Sequence, residues 1–180
     1  MIYIEELQGK TGNQEQSEIG RKLLLKGLRN EYGFSTLPEI GFSENGKPFF
    51  KDFPGIHFNI SHCERAVVCA IFPFPVGIDV ECINPFDEDL ASFVSSAEEF
   101  GEVLQSPEPD VFFTVLWTKK ESYCKLLGEG LASRDNIRNI LKNNNTTFNI
   151  IINISKKFVV TFCFQNHNGS DLSGNQILLS

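Results

Sequence analysis

The order of patterns along the chain predicts an α+β fold, with strands and helices mixed but without regular strand–helix–strand alternation. Three observations carry this. An early apolar stripe at helical spacing and a long helical segment between Pro109 and Gly128 flank two consecutive strand-like runs. A pair of β-branched and aromatic runs then surrounds the turn Ser155-Lys156-Lys157. The 180 residues, 41% apolar, suffice for one domain or two small lobes.

Residues 2–7 read as a short strand, 9–13 as loop and 14–30 as a helix. In that helix Ile19, Leu23, Leu24 and Leu28 recur at helical spacing, Arg21, Lys22 and Lys26 lie off the stripe, and Gly33 stops it. Segment 41–55 is turn-rich, punctuated by Asn45-Gly46, Pro48 and Pro54. Runs 66–72 and 75–82 are expected to be strands separated by a proline turn. Residues 86–105 suit two short helices, the second opening at Ser95-Ser96 with Glu98 and Glu99 in its first turn, where acidic groups match the helix dipole. The long helix is expected over 110–127, with Pro109 at its entry and Gly128 at its end. Segments 147–154 and 158–164 form the natural hairpin. The tail from Gln165 to Ile177 is polar and expected to be mobile.

Composition excludes several classes. Lys+Arg 16 against Asp+Glu 23 gives a net charge of -7 with a pI near 5.0 and a mean hydropathy of -0.13. A general phosphate-backbone binder needs a surplus of basic residues, so nucleic acid is not an expected partner. The longest apolar run, 66–78, is interrupted by Pro73 and Pro75 and is too short for a bilayer. Met1-Ile2-Tyr3-Ile4-Glu5-Glu6 lacks the basic and apolar regions of a signal peptide. Five cysteines with no C-x-x-C pair resemble neither a disulfide framework nor a zinc site. The expectation is a cytoplasmic protein with reduced thiols.

Charge is uneven. Residues 66–118 contain no Lys or Arg but ten acidic side chains, beginning with Asp79 and Glu81; from Lys119 to Lys142 basic residues predominate. Asp79 and Glu81 lie two apart in a strand, so both carboxylates leave one face. That arrangement suits a hard cation such as Mg2+, which takes oxygen ligands. A half-exposed strand with an acidic outer face would look the same. On the long helix, Phe112, Leu116, Tyr123 and Leu127 share one face, while Trp117, Glu121 and Lys125 fall four apart on another stripe. A surface Glu–Lys pair beside a partly buried Trp would also explain that stripe. Ser61-His62 and Gly46-Lys47-Pro48 precede these pieces; each alone could be a turn, a cap or a structural histidine.

Together and in order, the pieces have a counterpart. Gly46-Lys47-Pro48, Phe58-Asn59-Ile60-Ser61-His62, Gly77-Ile78-Asp79-Val80-Glu81, Phe113-x-x-x-Trp117-Thr118-x-Lys120-Glu121-Ser122-Tyr123-x-Lys125 and Gly128-x-Gly130-Leu131 occur in succession, with Phe93-Val94-Ser95-Ser96-Ala97-Glu98 before the last helix. Over residues 20–131 the chain resembles the 4′-phosphopantetheinyl transferase superfamily, specifically its surfactin-synthetase-activator type.

The resemblance implies two pseudo-symmetric lobes, each a small sheet packed on a long helix, with a coenzyme A cleft between them. The lobes would be residues 1–75 and 76–180, the second carrying the metal-binding motifs. It implies transfer of the phosphopantetheine arm of coenzyme A to a serine of an apo acyl or peptidyl carrier protein, releasing adenosine 3′,5′-bisphosphate. By position, Asp79, Glu81 and Glu121 would hold Mg2+ and Glu121 would also act as general base. Lys125 would contact the pyrophosphate, Ser61 and His62 the phosphates of coenzyme A, Lys47 and Pro48 the adenine, and Arg21 the 3′-phosphate. Lys120 and Trp117 would have supporting parts. Before Arg21 the chain supplies only Lys10 as a basic residue.

Two other functions fit parts of the pattern. A Mg2+-dependent nuclease would use similar carboxylates, but basic surface is scarce and no Glu-x-Lys follows Asp79 at short spacing. A non-catalytic module binding coenzyme A or a carrier would not need Asp79, Glu81 and Glu121, all of which are present.

Overall fold

A computed structural model of the chain describes residues 1–128, 134–142, 145–165 and 177–179. Gly130, Leu131 and the tail from 166 to 176 lie outside the described residues, and with them the expectations placed on those positions.

Strand β1 (Ile2–Glu6) leads into helix α1 (Asn13–Tyr32), which ends at Gly33 in the left-handed conformation (φ 74°). The turn-rich segment folds into a short antiparallel hairpin, β2 (Ile40–Phe42) and β3 (Pro48–Phe50). Next come β4 (His57–His62), β5 (Ala66–Phe72) and β6 (Gly77–Cys82). Helices α2 (Glu88–Val94), α3 (Ala97–Gln105), α4 (Pro109–Leu127) and α5 (Arg134–Asn139) follow, then the hairpin β7 (Thr146–Asn153) and β8 (Phe158–Gln165) and the short strand β9 (Ile177–Leu179).

The same unit is built twice. A strand, a long helix and an antiparallel hairpin occur as β1–α1–β4–β5 and again as β6–α4–β7–β8. In both sheets the first strand of the unit pairs with the last: the orders are β4-β5-β1, extended by β9 along β1, and β6-β8-β7. The fold is therefore α+β with pseudo-symmetric halves. Strand alternation explains the layering. Ile2, Ile4, Val68, Ala70 and Phe72 of the first sheet meet Ile78, Val80, Phe158, Val160 and Phe162 of the second in one buried layer. Tyr3, Val67, Cys69 and Ile71 face the other way, onto Leu23, Leu24 and Leu28 of α1. A third cluster joins Ala91, Val94, Val103, Phe113, Leu116 and Ile137.

Close approach is achieved differently in the two halves. On α1, Gly20 and Gly27 face the sheet, where a Cβ would come within 2.8 Å of Ile60 and 2.2 Å of Ile71. In the second half the glycine lies in the strand: a Cβ on Gly77 would stand 1.9 Å from the Ser122 carbonyl oxygen and 2.6 Å from the Leu126 nitrogen.

The buried face of α4 departs from the stripe expected. Phe112 and Leu127 are exposed, whereas Phe113, Thr118, Lys120, Ser122, Cys124 and Leu126 are buried. The helix is covered on two sides, by β6 and β8 and by the α2–α3–α5 cluster, so a one-sided apolar rule does not describe it. Small hydroxyl residues fill the tight side, and the Thr118 and Thr161 hydroxyls lie 2.7 Å apart. Helix α3 is capped by Ser96, whose hydroxyl accepts from Glu99 N while the Glu99 carboxylate accepts from Ser96 N. The cap lies within the Ser95-Ser96 opening expected from the sequence, with Glu98 and Glu99 in the first turn. No helix among the described residues is long and apolar enough to cross a membrane. All five cysteines are free thiols.

Candidate active site

Strand β6 runs antiparallel to α4, and its alternate residues meet the helix in turn. Gly77 lies against Ser122 and Leu126. Two residues on, Asp79 Oδ1 accepts a hydrogen bond from Lys125 Nζ at 2.6 Å. Two further on, Glu81 Oε1 accepts from Trp117 Nε1 at 3.3 Å. An acidic, half-exposed strand face is thereby excluded: Asp79 is 2% exposed.

The first half contributes β4. Its odd residues face the second half, and β6 is the edge strand of its sheet. Asn59 Oδ1 accepts from the Ile78 backbone N–H at 3.1 Å, satisfying a donor on that edge. The Ser61 hydroxyl donates to Asp79 Oδ1 at 2.9 Å and accepts from Lys125 Nζ at 2.8 Å. Ser61, Asp79 and Lys125 thus form a closed triangle drawn from three elements.

A cavity of about 340 Å³ opens beside it, within the usual range for small-molecule sites. Its lining includes Gly46, Lys47 and Pro48 of the β2–β3 turn, Asn59 and Ile60 of β4, and Glu121 and Lys125 of α4. Lys47 reaches across to donate to the Leu126 carbonyl at 2.5 Å, near the carbonyl end of α4 where a cation is favoured. Burial lowers its pKa. A second, apolar cavity of about 370 Å³ shares Lys47 and Pro48 and is lined by Phe49, Phe50, Phe53, His57 and Phe58, among others.

The remaining candidates are spread more widely. His62 is exposed at the end of β4, and its pKa is lowered by partial desolvation and then by the Lys125 charge. Arg21 is exposed on α1 and lines neither cavity. Lys120 faces away from the site. It is fully buried, and its ammonium donates to Glu99 Oε2 at 2.8 Å, to the Ile137 carbonyl at 2.9 Å and to the Arg138 carbonyl at 3.3 Å. Its work is to tie α3, α4 and α5 together. Asn59 and Gly77, which position the site without touching its chemistry, had no distinct role in the sequence reading. The signal was available: a polar residue within an apolar strand, and a glycine at a strand's start.

Electrostatics shows what the cluster lacks. Burial raises the Glu81 pKa, the Asp79 charge raises it further, and the Trp117 hydrogen bond and Lys125 oppose the shift. Burial likewise raises the Glu121 pKa, with Asp79 next and Lys125 opposing. Among the described residues, no three His, Cys, Asp or Glu side chains stand as a metal-binding group, and the cation against Asp79 is Lys125. Yet Asp79 Oδ2 is buried with no hydrogen-bond partner. A buried acceptor without a donor, beside two carboxylates strained by like charge, is an all-oxygen set that fits a hard divalent cation.

Comparison with known proteins agrees in kind. The family model described as the 4′-phosphopantetheinyl transferase superfamily matches residues 75–177, more than half of the chain. The chain belongs to that superfamily. It is 38% identical over 118 residues to a 4′-phosphopantetheinyl transferase of Bacillus subtilis, covering 63% of this chain and 52% of that protein. It is 41% identical over 98 residues to the transferase Sfp of Bacillus subtilis strain 168, covering 52% and 44%. With the transferase gsp of Aneurinibacillus migulanus the identity is 43% over 122 residues, covering 66% and 49%. The likeness is thus to the surfactin-synthetase-activator type of the superfamily, and the chain spans about half the length of the curated relatives it matches.

Proposed function

We propose that this superfamily member transfers the 4′-phosphopantetheine arm of coenzyme A to a serine of an apo acyl or peptidyl carrier protein. The single observation that carries the reading is the Ser61–Asp79–Lys125 triangle, with Asp79 Oδ2 unsatisfied, beside a cavity lined by Lys47, Glu121 and Lys125. In the reaction, the serine oxygen forms a bond to the β-phosphorus of coenzyme A. The bond from that phosphorus to the bridging oxygen breaks, and adenosine 3′,5′-bisphosphate leaves.

Asp79, Glu81 and Glu121 are the residues that would hold Mg2+. When bound, the ion would neutralise charge on the diphosphate and its leaving oxygen. The chain's own groups do the rest. Glu121 takes the serine proton. Lys125, Ser61 and His62 contact the phosphates, while Lys47 and Pro48 border the adenine. Arg21, exposed on α1, is assigned to the 3′-phosphate. The same reading takes residues 1–75 and 76–180 as the two lobes and the protein as a cytoplasmic monomer, with coenzyme A between the lobes.

Intact-mass measurement tests it. Incubated with MgCl2, coenzyme A and a panel of apo acyl and peptidyl carriers, the protein should add one phosphopantetheine arm to at least one carrier serine. No addition to any carrier, with the protein folded, would refute the proposal.

A further inference from the structure

The proposed reading assigns Lys125 to the diphosphate, but its ammonium is occupied elsewhere. It donates to Asp79 Oδ1 at 2.6 Å and to Ser61 Oγ at 2.8 Å. We propose that Lys125 is a resident stand-in for the divalent cation: it neutralises Asp79 in the cation-free protein and leaves Asp79 when the cation binds. This rests on the cation assignment made above and adds to it a linkage between two positive charges competing for one carboxylate.

Four features of the site support the exchange. Asp79 is almost wholly buried, and an ionised carboxylate there needs a compensating charge. Lys125 is the cation in contact with it, and Glu81 and Glu121 add two further negative groups nearby. One ammonium thus stands among three carboxyl groups, an all-oxygen set that a divalent cation matches better. Secondly, the ammonium covers Oδ1 while Oδ2 has no partner, so the carboxylate is only half satisfied. Thirdly, the Lys125 side chain is 30% exposed against 3% for Asp79. The lysine reaches in from the solvent side on a flexible four-carbon stem, near the end of α4, and can withdraw without disturbing the core. Finally, a divalent ion on the same carboxyl group would place two like charges within a few ångströms in a desolvated site, where repulsion is weakly screened.

The consequence is an ordering device. Cation binding releases an ammonium beside the cavity that Lys125 already lines, so a phosphorylated ligand meets that donor after the cation is in place. By linkage, an anion that holds Lys125 away from Asp79 must strengthen cation binding by the same factor that the cation strengthens anion binding.

The test uses the full chain without coenzyme A or carrier, with Mn2+ as the probe ion because its binding can be counted by electron paramagnetic resonance. Lys125→Met should bind Mn2+ about tenfold tighter than the wild type or more, within the range of site-to-site couplings. Lys119→Met, which removes the same charge from the same helix, should change Mn2+ affinity less than twofold. On the unmutated protein, saturating Mn2+ should raise the rate at which Lys125 is acetylated by an activated ester severalfold, with exposed Lys22 on α1 unchanged; peptide mass spectrometry reads both. This second measurement holds even if the Met variant misfolds. Equal or weaker Mn2+ binding by Lys125→Met, or acetylation of Lys125 unaffected by Mn2+, overturns the stand-in role alone. Absence of Mn2+ binding by the wild type and by Lys125→Met overturns both that role and the cation assignment beneath it.

Discussion

Gly77→Ala is the most severe single-methyl change the structure allows near the site. The backbone at Gly77 is not in the left-handed region, so alanine meets no conformational objection there. The objection is space: the new Cβ would lie 1.9 Å from the Ser122 carbonyl oxygen, 1.1 Å short of the 3.0 Å that real Cβ contacts rarely undercut, and 2.6 Å from the Leu126 nitrogen. Both obstacles are helix backbone, so no side chain can rotate aside. Strand and helix must separate by about 1 Å, and this stretch of α4 carries Glu121 and Lys125. Overpacking of this kind destabilises by about 1–3 kcal/mol. A displacement of about 1 Å at the site can lower turnover by about 10²-fold. Urea denaturation followed by circular dichroism gives the first quantity, and carrier-loading rates give the second. Stability within about 0.5 kcal/mol of wild type together with unchanged loading would refute the claim that α4 is seated directly on β6 at this glycine.

Other expectations concern single side chains. Glu121→Gln should abolish carrier loading while leaving the circular dichroism spectrum intact; retained turnover would remove Glu121 from the proton-transfer role. Asp79→Asn should weaken Mn2+ binding at least tenfold by removing the buried charge at the centre of the triangle, as read by electron paramagnetic resonance. Lys120→Ala should destabilise the protein by about 2–3 kcal/mol in urea, somewhat below a fully buried pair because Glu99 keeps the Ser96 N–H and some water, yet leave Mn2+ affinity unchanged. Chelation by EDTA should stop loading, and added Mg2+ should restore it; full activity in EDTA would exclude the cation from the reaction.

Much of the fold was legible because its signals are local. The stripe Ile19, Leu23, Leu24, Leu28 located α1, the Ser155-Lys156-Lys157 turn located the β7–β8 hairpin, and Pro109 and Gly128 bracketed α4. What failed depends on packing partners distant in sequence. The β2–β3 hairpin hid in a segment dominated by turn residues, and no strand was expected over 57–62, where Asn59 and Ser61 interrupt the apolar run of β4. On α4, a helix covered from two sides does not display one apolar stripe, so Phe112 and Leu127, expected on the apolar face, are exposed while Lys120 is buried. For the site, the ordered motifs include Ser61, Asp79, Glu121 and Lys125, which the fold gathers in one place. They could not reveal that Lys125 contacts Asp79 while Lys120, five residues earlier on the helix, serves an unrelated structural network.

The polar interruptions in β4 and β6 have one physical origin. Face to face, the two sheets bury an apolar layer, and alternation would ordinarily make every inward residue apolar. At the boundary between the halves, however, β4 overlies the edge of the second sheet, where an N–H of β6 has no strand to pair with. Asn59 supplies the missing acceptor, and two residues later Ser61 meets Asp79, two residues along from the β6 position where Gly77 admits α4. Period two on both strands therefore brings polar groups into register at the seam, and the period of the helix delivers Glu121 and Lys125 to the same place. A buried charge of this sort weakens a core unless something compensates it. Here Lys125 covers one carboxylate oxygen and leaves the other without a partner, so the chain's own groups satisfy this buried charge only by half.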